Sequence, residues 1–171
     1  MKVFINPGHH FELDPGAVNP VTGDREVDVA IECANLVEKY LLAAGVQCTV
    51  GQYNELYEIC GASNAYDADL FVSIHCNACA SHKAQGTETY YKSFNGQRLA
   101  NYIQSQIIRS LPTVNRGVKE GNLYVLKHTE AVAVLVELAF IDNMEDLVLL
   151  KRRIDDFARA IARGVTDYQI S

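Results

Sequence analysis

The chain has 171 residues, 49% of them hydrophobic and 21% charged, with 11 Gly and 4 Pro, which is the make-up of one globular domain able to bury a core without disulfide or metal staples. Its 15 Lys and Arg stand against 21 Asp and Glu, a formal net charge of −6 that argues against phosphate-backbone binding, so no nucleic-acid partner is expected. The 5 cysteines, an odd and scattered set, read as reduced thiols, and no apolar stretch reaches the length of a membrane span or of a signal-peptide core.

In chain order, Val3-Phe4-Ile5 is a β-branched and aromatic run stopped by Asn6-Pro7-Gly8, a buried first strand ending in a turn. From Phe11 to Gly23 the chain carries Pro15, Gly16, Asn19, Pro20 and Gly23 with no sustained period and reads as a functional surface loop. Thr22 or Asp24 is placed to cap the helix that follows. Its apolar stripe is Val27, Ala30, Ile31, Ala34, Val37, Leu41 and Ala44, and Gly45 can end it. A second strand is expected over Val46 to Val50, then weak helical spacing from Tyr53 to Asp67, interrupted by Gly61.

Leu70 to Ile74 is a near-continuous apolar run, the mark of a strand covered on both faces. Gly86 to Tyr91 alternates Thr87, Thr89 and Tyr91 with Glu88 and Tyr90, as a half-exposed strand would. Leu99, Ile103, Ile107 and Leu111 give another helix, stopped at Pro112. Tyr124 to Leu126 reads as a short strand and Ala131 to Val136 as a second fully apolar one. Leu147, Leu150, Ile154, Phe157, Ala158, Ile161 and Val165 form a last helical stripe, with Lys151-Arg152-Arg153 as a solvated face. This alternation predicts a single α/β domain over residues 1–171, with a mostly parallel, mixed central sheet and helices on both faces. In such sheets ligands bind beyond the carboxyl ends of the strands.

Three ionisable residues stand at or just past the ends of the most apolar strands: His9, His75 and Glu137. Glu26 opens the helix after the first strand, where a helix N-terminus favours a carboxylate. Parallel neighbours would bring all four to one edge of the sheet. Zinc takes imidazole nitrogen and carboxylate oxygen, and a hydrolytic site keeps three protein ligands with the fourth place for water. Two histidines and Glu26 meet that count, leaving Glu137 off the metal to take the proton of a water whose pKa falls from ~16 toward ~7. Spacing alone keeps His10 open beside His9, and Glu12 and Asp14 as rivals to Glu26.

Asn6-Pro7-Gly8-His9, Asp14-Pro15-Gly16-Ala17, Glu26, Ser73-Ile74-His75-Cys76-Asn77-Ala78, Gly86-Thr87-Glu88-Thr89-Tyr90-Tyr91, Asn115-Arg116-Gly117-Val118 and Val136-Glu137-Leu138-Ala139-Phe140-Ile141-Asp142-Asn143 follow one another in the chain. In order and spacing they resemble the zinc-dependent N-acetylmuramoyl-L-alanine amidases of the amidase-3 type, endolysin catalytic domains among them. The resemblance implies a peptidoglycan hydrolase that cuts the amide between N-acetylmuramic acid and the L-alanine of the stem peptide. It assigns one zinc ion to His9, Glu26 and His75, and general base and acid to Glu137. It places Arg116 near the stem peptide, where a guanidinium can hold a carboxylate, and gives Asn77 a substrate or ligand-orienting bond. Two departures from the family pattern stand at the first histidine: Asn6 replaces an Asp, and His10-Phe11 replace two glycines.

No repeat-type wall-binding module follows the last catalytic segment, so targeting is expected within this domain or from a partner. The expected setting is synthesis in the cytoplasm without a signal peptide and action on the wall after release by lysis. Three other readings compete. Cys76-Asn77-Ala78-Cys79 has the spacing of a dithiol redox motif, a non-catalytic peptidoglycan-binding module would share the segments, and a zinc hydrolase of another amide would share the site.

Overall fold

In the computed structural model, which describes residues 1–171, eleven elements follow one another: β1 (Lys2–Pro7), α1 (Glu26–Ala43), β2 (Gln47–Val50), α2 (Leu56–Ala65), β3 (Leu70–Asn77), β4 (Thr87–Tyr91), α3 (Phe94–Ser110), β5 (Asn115–Glu120), α4 (Tyr124–His128), β6 (Val132–Phe140) and α5 (Met144–Gln169). The strands form one sheet in the order β2-β1-β3-β6-β4-β5. β2, β1, β3 and β6 run parallel, β4 is antiparallel to β6, and β5 is parallel to β4. The expected mixed, mostly parallel sheet is the one observed.

The most apolar strands hold the centre because they are covered on both sides. Side chains alternate along a strand, so each strand serves two different environments. Val3, Ile5, Val72, Ile74, Val134 and Val136 point to one face, where α1, α3 and α5 close over them in a core cluster of 31 buried residues. Phe4, Phe71, Ala133 and Leu135 point to the other, under Ile59 and Cys60 of α2 and Val125 and Leu126 of α4, in a cluster of 8. Those two helices have 10 and 5 residues and cover only part of that face.

Several local expectations are corrected. Tyr124 to Leu126 is helical, within α4, because three apolar residues cannot distinguish a strand from one helical turn. The edge strand β5, Asn-Arg-Gly-Val-Lys-Glu, has no apolar pattern to reveal it; charged side chains suit an unpaired edge. The start of α1 uses neither Thr22 nor Asp24. Arg25 occupies the cap position without a side-chain bond, and the loop supplies acceptors instead: Glu26 N–H donates to Ala17 O at 2.8 Å and Val27 N–H to Pro15 O at 3.2 Å. Glu88, expected on the exposed side of a strand, is buried. His75 and Glu137 lie within β3 and β6 rather than past their ends, since both strands continue beyond the apolar run.

Candidate active site

The site grows from the register of the sheet. Asn6 pairs with Ser73, His75 with Glu137, and Glu137 with Glu88, so this row shares the face that α2 and α4 leave partly open. Buried Asn6 fixes the top of the row, accepting from Ser73 Oγ at 2.9 Å and donating to Gly51 O at 3.1 Å. β1 ends at Pro7, and Gly8 N–H still donates to Ile74 O at 2.8 Å. His9 then turns with φ of 68°, the left-handed region that few non-glycine residues occupy.

That turn sends the His9 ring to Glu26, with Nε2 lying 3.0 Å from Oε2, while His75 Nδ1 is 2.9 Å from the other carboxylate oxygen, Oε1. Glu26 is 5% exposed and accepts two backbone bonds as well, from Ala17 N–H at 2.9 Å and Cys76 N–H at 3.0 Å. Asp14 Oδ2 lies 2.7 Å from the far nitrogen of His9. Of the rival carboxylates, Glu26 thus sits between the histidines, Asp14 backs one of them, and Glu12 joins neither. His10 forms a backbone bridge with Asp14 and stays out of the group.

Burial pushes the Glu26 carboxyl upward, but hydrogen bonds from His75 and His9 outweigh it and hold the group well below the usual carboxylate range. His9 is raised to about 9, chiefly by its bond to Glu26, against burial and with help from Asp14. A ligating atom from each of His9, Glu26 and His75 lies within 4.8 Å of the others, a spacing that suits one small cation. Two glycines keep that space clear. A Cβ on Gly8 would come within 2.2 Å of the His75 ring, and one on Gly16, whose φ is +66°, within 2.7 Å of Glu26 Oε2. A carboxylate behind the far nitrogen of His9 is the usual support for a metal-bound imidazole. These residues fit a divalent metal.

Glu137 lies next to His75 across the β3–β6 pair. Its Oε2 is shut off from solvent and has no hydrogen-bond partner. Burial raises its carboxyl to about 7, with His75 opposing and the charges of Glu26 and Glu88 adding to the rise. An unpartnered carboxyl that titrates near neutrality can take up and return a proton at ordinary pH.

Beyond Glu137, the row reaches Glu88. Arg116 Nε donates to Glu88 Oε2 at 2.6 Å and Lys119 Nζ to the same oxygen, while Tyr90 Oη and Asn77 Nδ2 donate to Oε1 at 2.7 and 2.9 Å. Asn77 is occupied at both ends, since its Oδ1 accepts from Ala78 N–H at 2.9 Å. On the other side of the row, a cavity of about 370 Å³ runs from His9 and His75 to Tyr53, Leu56, Leu123 and Tyr124. Cys76 packs in the apolar core on the opposite face of β3 with its thiol pushed well up by burial, which removes it as a redox partner for Cys79.

Sequence reasoning named His9, Glu26, His75, Glu137, Arg116 and Asn77. The structure brings the first three together, sets Glu137 beside His75, and places Arg116 and Asn77 on Glu88. It adds Asp14, Gly8, Glu88 and Lys119 to the neighbourhood. Glu88 had one signal, a carboxylate in a strand between two threonines, and it passed for a solvent-facing residue.

A six-stranded sheet of this order with a His-His-Glu group that could hold a metal ion and a carboxyl beside it defines an α/β domain with a candidate metal site. The chain belongs to the N-acetylmuramoyl-L-alanine amidase family, whose model matches residues 3–167. It is 38% identical, over 97% of its length, to the N-acetylmuramoyl-L-alanine amidase LytC of Bacillus subtilis (strain 168), and spans 35% of that protein. Among solved structures it is similar to the amidase AmiC2 of Nostoc punctiforme, with a TM-score of 0.94 and 30% identity over 100% of this chain and 98% of that one. An N-acetylmuramoyl-L-alanine amidase from Clostridium difficile 630 also reaches a TM-score of 0.94, with 29% identity over 99% and 97% of the two chains. No helix is long and apolar enough to cross a membrane.

Proposed function

We propose that residues 1–171 act as a catalytic domain that hydrolyses the amide between N-acetylmuramic acid and the L-alanine of the stem peptide, using one zinc ion held by His9, Glu26 and His75. The observation that carries the reading is the meeting of those three side chains beside a carboxyl raised to about 7. The family and the amidases it resembles supply the substrate class. Bound at this group, zinc supplies Lewis-acid polarisation of the amide carbonyl and lowers the pKa of water.

The rest is the work of the chain. Before metal binds, Glu26 bridges both imidazoles and keeps the three ligand atoms converged, and Asp14 fixes the His9 ring from behind. Glu137 Oε2, free of other partners, accepts the proton of the attacking water and returns it to the leaving amine of L-alanine. Arg116 contacts the stem peptide, and Asn77 acts through Glu88. The substrate sets the place of action at the cell wall.

Mass spectrometry of purified wall, digested with metal-replete and with chelated protein, tests bond, substrate and metal together. The expected products are peptides with free L-alanine amines, no new reducing sugar ends, and none of either after chelation. Products cut at another amide, or activity that survives chelation, would overturn the reading.

A further inference from the structure

We propose that the cavity between α2 and α4 takes the pyranose ring of the sugar that bears the scissile amide, with Tyr53 and Tyr124 as the aromatic walls that recognise it. The inference rests on the amidase reading and gives a use to the side of the metal group that faces away from Glu88.

Two helix starts frame the space. Tyr53 lies in the segment that enters α2 and Leu56 opens that helix, while Leu123 holds the cap position of α4 and Tyr124 begins it. Val125 and Leu135 line the cavity between them. Its charge-bearing side chains, His9, His75 and Asp14, belong to the metal group and its support, so they gather at one end. The end formed by the helices carries no charged side chain. There Tyr53 and Tyr124 remain 39% and 41% exposed, and Leu56 and Leu123 are exposed beside them. Apolar side chains left in solvent around a concave space mark a ligand site. Tyr124 is braced by His128, one turn further along α4, whose ring centroid lies 4.1 Å away. Asn54, on the same rim, has its amide nitrogen on Glu55 Oε1 at 2.7 Å, which leaves its oxygen to accept from a ligand.

Chemistry selects the occupant. In a muramoyl amide the sugar ring is joined to the scissile carbonyl through only one lactyl carbon and one ether oxygen. A carbonyl held at the metal group therefore brings the ring against whatever adjoins His9 and His75. The stem peptide departs from the nitrogen of the same bond, on the side where Arg116 stands, so sugar and peptide diverge. A pyranose is uncharged, presents C–H bonds on its faces and carries its hydroxyls at its edge. The C–H faces suit the negative face of an aromatic ring, and the hydroxyls reach the rim and solvent. A peptide with ionised groups would lose hydration at the helix end and find no opposite charge there. The volume of about 370 Å³ suits one small ring and its substituents.

The test is calorimetric titration of the zinc-loaded Glu137→Gln protein, which keeps the three metal ligands, with two ligands. One is an N-acetylmuramoyl peptide, the other the same peptide carrying only the lactyl group on its L-alanine. The sugar-bearing ligand should bind at least tenfold more tightly. Tyr53→Leu and Tyr124→Leu, each added to that protein, should bring the ratio close to one and leave the affinity for the lactyl peptide unchanged. Tyr53→Phe and Tyr124→Phe, which keep the ring, should retain the preference. Thermal melting checks folding, and Tyr53, outside any helix, serves alone should Tyr124→Leu disturb α4. Equal or absent binding of the two ligands overturns the sugar site. A preference that survives in folded Leu variants overturns the role of the two rings, and one that is lost in the Phe variants overturns stacking as its cause. Turnover is read apart, on the wild type: a protein that prefers the muramoyl ligand but releases no peptide from wall refutes the amidase reading and leaves the sugar site standing.

Discussion

The two faces of one sheet do different work from the same strands. On the face under α1, α3 and α5, Val, Ile and Leu side chains meet long amphipathic helices and water is excluded. On the other, the short α2 and α4 stop over Phe71 and Leu135, and the next positions along the same strands are Ser73, His75 and Glu137, with Glu88 opposite Glu137 on the neighbouring β4. Alternation lets each strand carry a core on one side and chemistry on the other, so the closed face supports groups that would be costly to hold in place by themselves. Substitutions should therefore separate by face, with stability lost on one and activity on the other.

The largest effect is expected from Glu137→Gln, which should reduce peptide release by ~10²–10⁴-fold while the thermal midpoint stays level or rises, since the native carboxyl is buried with one oxygen unpaired. A marked loss of stability would show that Glu137 holds the fold. Phe157→Ala is the counterpart on the closed face. Phe157 is fully buried, and the cavity should cost about 3–5 kcal/mol in denaturant unfolding, with residual activity tracking the folded fraction. Gly8→Ala tests the boundary between the faces. The added Cβ would sit 2.2 Å from the His75 ring, so zinc affinity should drop while the closed core is spared. Unchanged zinc affinity would mean that His75 is not a ligand. Asp14→Ala should weaken metal binding by ~10–100-fold by removing the bond behind His9, together with the one that Asp14 Oδ1 accepts from Gly16 N–H.

The smallest effect is one of pH. In the metal-free protein the His9 pKa is raised from its ordinary 6.5 to about 9, mainly by the hydrogen bond to Glu26, so His9 carries a proton at neutrality. The stability this gives is complete below pH 6.5 and is lost as pH rises through about 9. Glu26 works in the opposite direction, its contribution being present above the ordinary carboxylate range and lost on acidification. A metal must displace the His9 proton, so its apparent affinity should weaken by about tenfold for each pH unit below that value. Calorimetry in buffers of different ionisation heat should detect about one proton released at pH 7; no release would contradict the shared role of His9.

The closed face was readable in advance. The stripe from Val27 to Leu41, the runs Leu70 to Ile74 and Ala131 to Val136, and the last helix from Leu147 to Val165 all announce burial by period. The open face was readable only where a residue type is rare and specific, as with His9, His75 and Glu137. β5 and α4 escaped because one carries a single apolar residue, Val118, among polar ones and the other is too short to show a period. Glu88 was misread because a carboxylate on an alternating strand looks solvent-facing until its four donors, drawn from β3, β4 and β5, are in place.

Local pattern was enough to decide which segments become strands and helices and which of their sides turn inward, because burial of apolar surface depends on side chains only a few positions apart. It could not choose Glu26 over Asp14 or Glu12 for the place between two imidazoles, nor bury Glu88 against Arg116 and Lys119. Those outcomes depend on strand order and on the left-handed turn at His9, which bring together groups that are distant in the chain and whose charges stabilise one another only at hydrogen-bonding distance.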